Sequence, residues 1–195
     1  MKNEFTITVY TENQVGLLGR IAMIFTRRKI SIQSLNTSPS ESEDIFRFTI
    51  VINETEEVVR KLVRQIEKQV EVLKAYFHTN DEIVWQEMAL YKVPTDVIAE
   101  KVVVERLLRT YGARAVAIRS DYIVFEVTGH REETDTFMEV LEPYGLIEFV
   151  RSARIAIIKG SHDFHERLRE FEEAEPGESV STNEFLDRQG EVFSM

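Results

Sequence analysis

The first forty residues switch between strand-like and helix-like patterns of apolar positions. Residues 5–10 alternate large apolar side chains with threonines, as in a half-buried β-strand. Residues 17–28 repeat apolar side chains at intervals of three and four, which is the spacing of one helical face. Residues 30–35 alternate again. The pattern therefore predicts a strand, a turn at residues 13–16, a helix and a second strand.

The next forty residues complete a structural unit. Residues 38–44 are polar and predict a hairpin loop, and residues 45–52 form a dense apolar run that predicts a third strand. Thr55 is predicted to cap a second helix, and residues 72–77 predict a fourth strand. The order β-α-β-β-α-β predicts a ferredoxin-like unit, a four-stranded antiparallel sheet with both helices on one face.

The same order of patterns begins again near Asn80. Strands are predicted at residues 83–93, 115–118, 122–127 and 146–158, the last as one long strand, and helices at residues 96–111 and 132–141. The fold class is therefore α+β, with two ferredoxin-like units. We assign residues 1–79 to the first domain, 80–160 to the second, and 161–195 to an acidic, partly mobile tail.

The turn before the first helix is the candidate binding site. The first amides of a helix lack partners within it, and the helix dipole favours an anion there. Gly16 has no Cβ, so it allows a close ligand or a positive φ. Asn13 can donate and accept hydrogen bonds. Two interpretations stay open: a carboxylate binds here, or Asn13 only caps the helix and Gly16 only turns the chain.

Charge and composition limit the kinds of partner and the compartment expected for this protein. The net charge is −10, and residues 160–195 contain ten acidic and three basic side chains, a net −7. This balance argues against binding to nucleic acid. The sequence contains no apolar run near the ~20 residues of a membrane helix, so we expect no membrane span. Zero cysteines and the lack of a signal-like start favour the cytoplasm.

Catalytic motifs are absent from the sequence. There is no phosphate-binding glycine loop, no nucleophile elbow and no His-Glu-x-x-His pattern, so no catalytic residue and no metal site are expected. His162 and His165 lack further ligands for a metal. His78 and His130 are expected to be isolated and solvated, and Trp85 to lie in the core or an interface.

The opening residues resemble a known family. Residues 11–21 (TENQVGLLGRI), 25–28 (FTRR) and 32–36 (IQSLN) are similar to the N-terminal ACT domain of the small regulatory subunit of acetolactate (acetohydroxyacid) synthase. Residues 151–154 (RSAR) resemble part of that family's C-terminal domain. The resemblance covers roughly residues 4–160 and leaves the acidic tail unmatched.

The resemblance implies a non-enzymatic regulatory role. Such a subunit activates the catalytic (large) subunit of acetolactate synthase and confers feedback inhibition by valine in branched-chain amino-acid biosynthesis. Thiamine diphosphate, Mg²⁺ and FAD belong to that catalytic partner, and no cofactor is expected in this chain. Two copies are expected to pair through their ACT domains, with a branched-chain amino acid as the effector at the interface.

By position, the resemblance also implies a set of effector-binding residues. They are Asn13, Val15, Gly16, Leu17, Leu18, Ser31 and Ile32. The sequence departs from the family at Ser31, where valine-sensitive members typically carry Asn in a Gly-Tyr-Asn-Ile run. The shorter side chain reaches less far, which bears on the identity and affinity of the effector.

Two other functions are compatible with this fold. One is a stand-alone amino-acid-sensing ACT protein that regulates another enzyme or a transcription factor. The second β-α-β-β-α-β unit favours the synthase subunit over it. The other is a small hydrolase, which would need a cationic phosphate cradle at the first turn, and Glu12 and Asn13 supply none.

Overall fold

The computed structural model describes residues 1–42, 44–96, 106 and 108–160. The chain divides into two compact units. Unit 1 contains Met1–Val84 and the described residues from Ile157 onward, and unit 2 contains Trp85–Ala156. None of the helices in the described part of the chain is long and apolar enough to span a bilayer. The predicted tail, residues 161–195, lies outside the described residues.

Unit 1 has the predicted β-α-β-β-α-β order. Its elements are β1 (Asn3–Glu12), α1 (Leu17–Arg27), β2 (Ile32–Pro39), β3 (Ile45–Glu54), α2 (Glu56–Glu67) and β4 (Val72–Thr79). The strands lie in the order β2-β3-β1-β4, and every neighbouring pair is antiparallel. The ferredoxin-like fold predicted from the pattern of apolar positions is confirmed.

The core of unit 1 lies between the sheet and its two helices. Phe5, Ile7 and Val9 of β1 are buried in one cluster with the apolar faces of α1 and α2. Burial of one such side chain stabilises the fold by about 1.5–3 kcal/mol. These odd-numbered positions are the ones that alternation assigned to the core, so the sequence pattern and the packing agree on this face.

The other face of β1 is also buried. Thr6 and Thr8 are 1 % and 4 % exposed, and Tyr10 is fully buried. Alternation predicted a half-buried strand, and this part of the prediction is wrong because both faces are buried. A threonine hydroxyl can be buried when it forms a hydrogen bond, so alternation of apolar and hydroxyl residues does not by itself identify an exposed face.

The second strand begins two residues later than predicted, because the chain closes α1 with a Schellman motif. Lys29 has a φ of 56°, its amide donates to the carbonyl of Thr26 at 3.0 Å, and the amide of Ile30 donates to Phe25 at 3.0 Å. This pair of bonds satisfies the last carbonyls of a helix. Ser31 therefore precedes β2 instead of lying within it.

The second sheet repeats the predicted order of elements. They are β5 (Ile83–Pro94), β6 (Arg114–Ile118), β7 (Tyr122–Gly129), α3 (Arg131–Leu141), β8 (Glu148–Arg151) and β9 (Ile155–Ile158). The strand order is β6-β7-β5-β8, with β9 also paired to β5. Of the helix predicted at residues 96–111, Arg106 and residues 108–110 are helical, and residues 97–105 and 107 lie outside the described part.

The single long last strand predicted at residues 146–158 is wrong, since β8 and β9 are separate. Ala89 of β5 pairs with Arg151, and the carbonyl of Glu82, the residue before β5, accepts a hydrogen bond from the amide of Lys159, the residue after β9. From Ala89 back to Glu82 is seven residues, whereas from Arg151 to Lys159 is eight. The β8–β9 side thus has one extra residue, as in a β-bulge. Arg154, in the stretch between β8 and β9, is 2 % exposed.

Candidate functional site

Gly16 immediately precedes α1. It is the N-cap of the helix, with a φ of 85° and a ψ of −6°, so the chain uses the left-handed region that glycine adopts without strain. Asn13 is therefore not the cap, and the simpler of the two sequence interpretations is wrong about its role. A Cβ placed on Gly16 would point into open space, with no atom within 4 Å.

The turn presents a row of unused amides to solvent. The N–H groups of the following residues donate no hydrogen bond to any described residue: Val15, Gly16, Leu18 and Gly19. The amide of Leu17 is satisfied by Gln14 at 3.3 Å. The first turn of α1 contains no acidic residue. The positive end of the helix dipole thus meets no negative side chain of its own turn.

Three backbone and side-chain contacts hold this turn in place. The amide of Asn13 donates to the carbonyl of Asp44 at 2.9 Å, and the amide of Glu12 donates to the carbonyl of Glu71 at 3.0 Å. Arg20 Nη1 lies 2.6 Å from Glu71 Oε1. Hydrogen bonds from its own backbone amide and from Arg20 lower the pKa of Glu71. The turn is therefore fixed to the starts of both β3 and β4.

The apolar residues of the turn divide into core and surface. Leu17 is 2 % exposed and packs into the core of unit 1, so it supports the turn from below. Val15 is fully exposed and Leu18 is 44 % exposed. These two side chains are available to contact an apolar ligand beside the free amides.

Ser31 and Ile32 do not join the turn within one chain. They follow the C-terminal end of α1, whereas Gly16 stands at its N-terminal end. An eleven-residue helix is about 16 Å long, so the two groups of predicted residues lie at opposite ends of it. Ser31 is exposed and Ile32 is half-buried. A ligand that touches both groups would have to take them from two copies of the chain.

Unit 2 contains a stack of side chains that the sequence interpretation missed. The guanidinium carbon of Arg154 lies 3.5 Å from the centre of the Trp85 ring, and the His130 ring stacks on the same indole at 4.3 Å with a 10° interplanar angle. At such distances the two groups must lie on opposite faces of the indole. His130 is exposed, but the expectation that it is isolated is wrong.

A buried carboxylate lies beside this stack. Glu87 is 2 % exposed, and its Oε2 atom lies 3.6 Å from Nε of Arg151 and 3.7 Å from Nε of Arg131. Arg151 also pairs with Asp135 of α3. The signal was present in the sequence, because alternation along β5 places Glu87 on the core face, where a charged residue needs partners. No group of residues in the described ranges has the composition of a metal site.

His78 is also more buried than the sequence suggested. It lies on β4 beside Tyr76, with ring centres 5.3 Å apart, and it is half-buried. Desolvation lowers the pKa of its imidazole, and the nearby Glu82 carboxylate partly opposes that effect. The expectation that His78 is solvated is therefore wrong.

The fold and the turn define a class of protein. Two consecutive ferredoxin-like units, the first with a glycine-capped helix that presents free amides, form a two-domain regulatory protein of the ACT type. Family models agree: residues 7–74 match the AHAS small subunit-like ACT domain, and residues 86–160 match the small subunit of acetolactate synthase. The chain belongs to the acetolactate synthase small-subunit family.

Individual relatives give the same result. The acetolactate synthase small subunit of Bacillus subtilis is 34 % identical over 162 residues, which cover 83 % of this chain and 92 % of that one. A probable small subunit of Archaeoglobus fulgidus is 31 % identical over 156 residues, 80 % of this chain and 97 % of that one. The crystal structure of the Thermotoga maritima small subunit has the same fold, with a TM-score of 0.74 and 23 % identity over 82 % of this chain and 99 % of that one.

Proposed function

We propose that this chain activates the catalytic subunit of acetolactate synthase and makes that subunit sensitive to inhibition by valine. Membership of the small-subunit family supports the partner. The proposal of an amino-acid effector rests on the group of free amides at the glycine-capped start of α1. Such amides form an anion site together with the helix dipole, which suits the carboxylate of a free amino acid.

The surrounding side chains suit an aliphatic amino acid. In this proposal the ligand's carboxylate accepts hydrogen bonds from the amides of Gly16 and Leu18, and the exposed side chains of Val15 and Leu18 contact its apolar side chain. Asn13 has a side-chain oxygen that can accept a hydrogen bond from the ligand's ammonium group. Each contact to a charged ligand group is worth about 1.5–3 kcal/mol.

The effector site is proposed to form between two copies of the chain. Gly16 and Ser31 lie at opposite ends of α1, so a ligand between paired ACT domains would contact the turn of one copy and Ser31 and Ile32 of the other. Ser31 offers a short hydroxyl. This arrangement makes effector binding and pairing of the ACT domains thermodynamically linked, because each then favours the other.

Regulation then follows from a difference in binding between two arrangements. Valine stabilises the arrangement of the paired domains that supports catalysis less well, and a coupling free energy of about 1–3 kcal/mol gives roughly 5- to 150-fold inhibition. The bond-making steps, with thiamine diphosphate, Mg²⁺ and FAD, are assigned to the catalytic subunit. This chain contributes no catalytic residue in the proposal.

Reconstitution tests the proposal directly. The purified catalytic subunit from the same genome is assayed for acetolactate formation from pyruvate, alone and with this chain, over a range of valine concentrations. We expect the chain to raise the activity and to introduce valine inhibition. If the activity of the catalytic subunit is unchanged by this chain, the proposed partner is wrong. If the chain activates the catalytic subunit but the activity does not respond to valine, leucine or isoleucine, the proposed effector site is wrong. A separate affinity capture from a cell lysate tests the alternative. If this chain captures a different enzyme or a transcription factor instead of the catalytic subunit, the stand-alone sensor is favoured.

A further inference from the structure

The helical side of unit 1 carries a cluster of cations. Gln65 accepts a 2.7 Å hydrogen bond from Nε of Arg28, which joins the C-terminal end of α1 to α2. Lys61 and Lys68 are four residues before and three after Gln65, so they lie on the same face of α2. We call the resulting exposed set the basic face: Arg27, Arg28, Lys29, Lys61, Arg64 and Lys68.

The charges of the basic face are largely uncompensated within the described residues. Lys61 pairs with Glu57 at 2.6 Å. No carboxylate of the described part of the chain lies within 4 Å of Arg27, Lys29 or Arg64. One cation near a helix C-terminus is favoured by the helix dipole, by about 0.3–1 kcal/mol. That effect does not account for six cations grouped on one face, where they repel one another.

The described part of the chain finishes at the end of unit 1 where part of this cluster lies. The amide and Nζ of Lys159 bond to the carbonyls of Glu82 and Asp81, and Asn80 donates to Glu4 at the start of β1. β1 and β2 both run antiparallel to β3, so α1 must return between them, and its C-terminal end lies near the start of β1. Lys29 and Lys159 therefore lie at the same end of unit 1.

The segment that follows is long enough and of the opposite charge. Residues 161–195 contain ten acidic and three basic side chains, a net −7, whereas the whole chain has −10. An extended chain spans about 3.3 Å per residue, so this segment can reach across α2, which is about 18 Å long. Attachment to the same chain gives it an effective concentration on the order of millimolar.

We propose that the acidic C-terminal segment, residues 161–195, binds in cis to the basic face of unit 1. The association is electrostatic, so it weakens as salt shortens the screening length from about 10 Å at 0.1 M to about 3 Å at 1 M. The bound segment neutralises the basic face and excludes other acidic surfaces from it. This role does not depend on the effector site or on the catalytic partner.

Carbodiimide cross-linking of the full-length protein tests the proposal, since it joins a lysine amine only to a carboxylate in contact with it. A dilute mixture of unlabelled and ¹⁵N-labelled chains separates links within a chain from links between chains. We expect Lys29, Lys61 and Lys68 to link to carboxylates of residues 161–195 within one chain at low salt, and those links to disappear at about 1 M salt. The proposal would be overturned if these lysines linked only to carboxylates of residues 1–160, or only to carboxylates of another chain.

A pair of charge-matched variants excludes a general electrostatic effect. Arg64→Glu changes the basic face, and Arg119→Glu changes the net charge equally at an exposed position of unit 2. Arg64→Glu is expected to reduce the links from the segment to Lys61 and Lys68 several-fold, whereas Arg119→Glu leaves them unchanged. Equal reductions in the two variants would overturn the proposal. Circular dichroism of both proteins checks that the fold is retained.

Discussion

The backbone amide of Asn13 donates a 2.9 Å hydrogen bond to the carbonyl oxygen of Asp44, so the turn before α1 is attached to the β2–β3 hairpin. Asp44 has a φ of 60°, in the left-handed region. Aspartate tolerates this region better than most residues, and β-branched residues tolerate it least. The geometry of the proposed effector site therefore depends on a residue thirty-one positions after Asn13 in the sequence.

This dependence predicts different effects for two substitutions at Asp44. Asp44→Val forces a β-branched residue into the left-handed region and is expected to cost about 1–2 kcal/mol of unfolding free energy. It is also expected to weaken the binding of valine, because strain at residue 44 displaces the backbone carbonyl that accepts the hydrogen bond from Asn13. Asp44→Gly keeps the conformation and should preserve both properties. Urea unfolding and calorimetric titration with valine provide the measurements, and identical behaviour of the two variants would contradict the prediction.

Substitutions at Gly16 separate backbone strain from charge. Gly16→Ala and Gly16→Asp both place a Cβ on a residue with a φ of 85°, at a cost of about 1–2 kcal/mol for alanine and less for aspartate. Only aspartate adds a carboxylate where we propose that the ligand's carboxylate binds. We expect Gly16→Asp to raise the valine concentration for half-inhibition about tenfold more than Gly16→Ala, with activation of the catalytic subunit kept. If the valine concentration for half-inhibition rose equally in the two variants, the proposed anion site would be wrong.

Lys29 holds a conformation that glycine would adopt more easily. It occupies the C′ position of the Schellman motif, with a φ of 56°. Lys29→Gly is expected to raise the unfolding free energy by about 1 kcal/mol, since glycine lacks the steric penalty. Lys68→Gly is the matched control, because Lys68 ends α2 with a φ of −78° and should gain nothing. Thermal unfolding would refute the prediction if both variants were stabilised alike.

The lowered pKa of His78 predicts that the protein loses stability in mild acid. Desolvation lowers the pKa of its imidazole in the folded protein. As the pH falls below about 6.5, the unfolded chain binds a proton at this residue before the folded chain does, so the unfolding free energy decreases. Above that pH both forms are neutral and the contribution is fully present.

Replacing the imidazole tests this dependence. His78→Gln removes the titrating group, so the variant should lose less unfolding free energy than the native protein between pH 7.5 and pH 5.5. Denaturant unfolding at both pH values gives the four quantities needed. A pH dependence that is the same in both proteins would show that His78 does not contribute to it.

The sequence predicted the regular parts of the fold well. Alternation and helical spacing identified the strands and helices of unit 1 and their β-α-β-β-α-β order along the chain, because burial of one face requires such spacing. It failed where local hydrogen bonds override the pattern. Ile30 and Ile32 look like alternate positions of one strand, but the first belongs to the Schellman motif. The bulge near Ser152 was missed for the same reason.

The candidate site was predicted in part. The positive φ of Gly16 follows from its place before a helical run, since a tight turn there favours glycine. That Gly16 and not Asn13 caps α1 depends on the attachment of Asn13 to Asp44, which is a contact between distant parts of the sequence. The stack of Trp85 and Arg154 likewise joins distant parts of the sequence, and no local pattern indicates it. Whether the predicted effector residues bind valine stays a prediction.

Trp85 is the single tryptophan of the protein, and it lies in unit 2 between a guanidinium and an imidazole. Indole emission excited near 295 nm therefore originates from the second unit alone, and unit 1 remains dark at that wavelength. The unfolding of unit 2 can thus be followed through its own optical signal, with no engineered label.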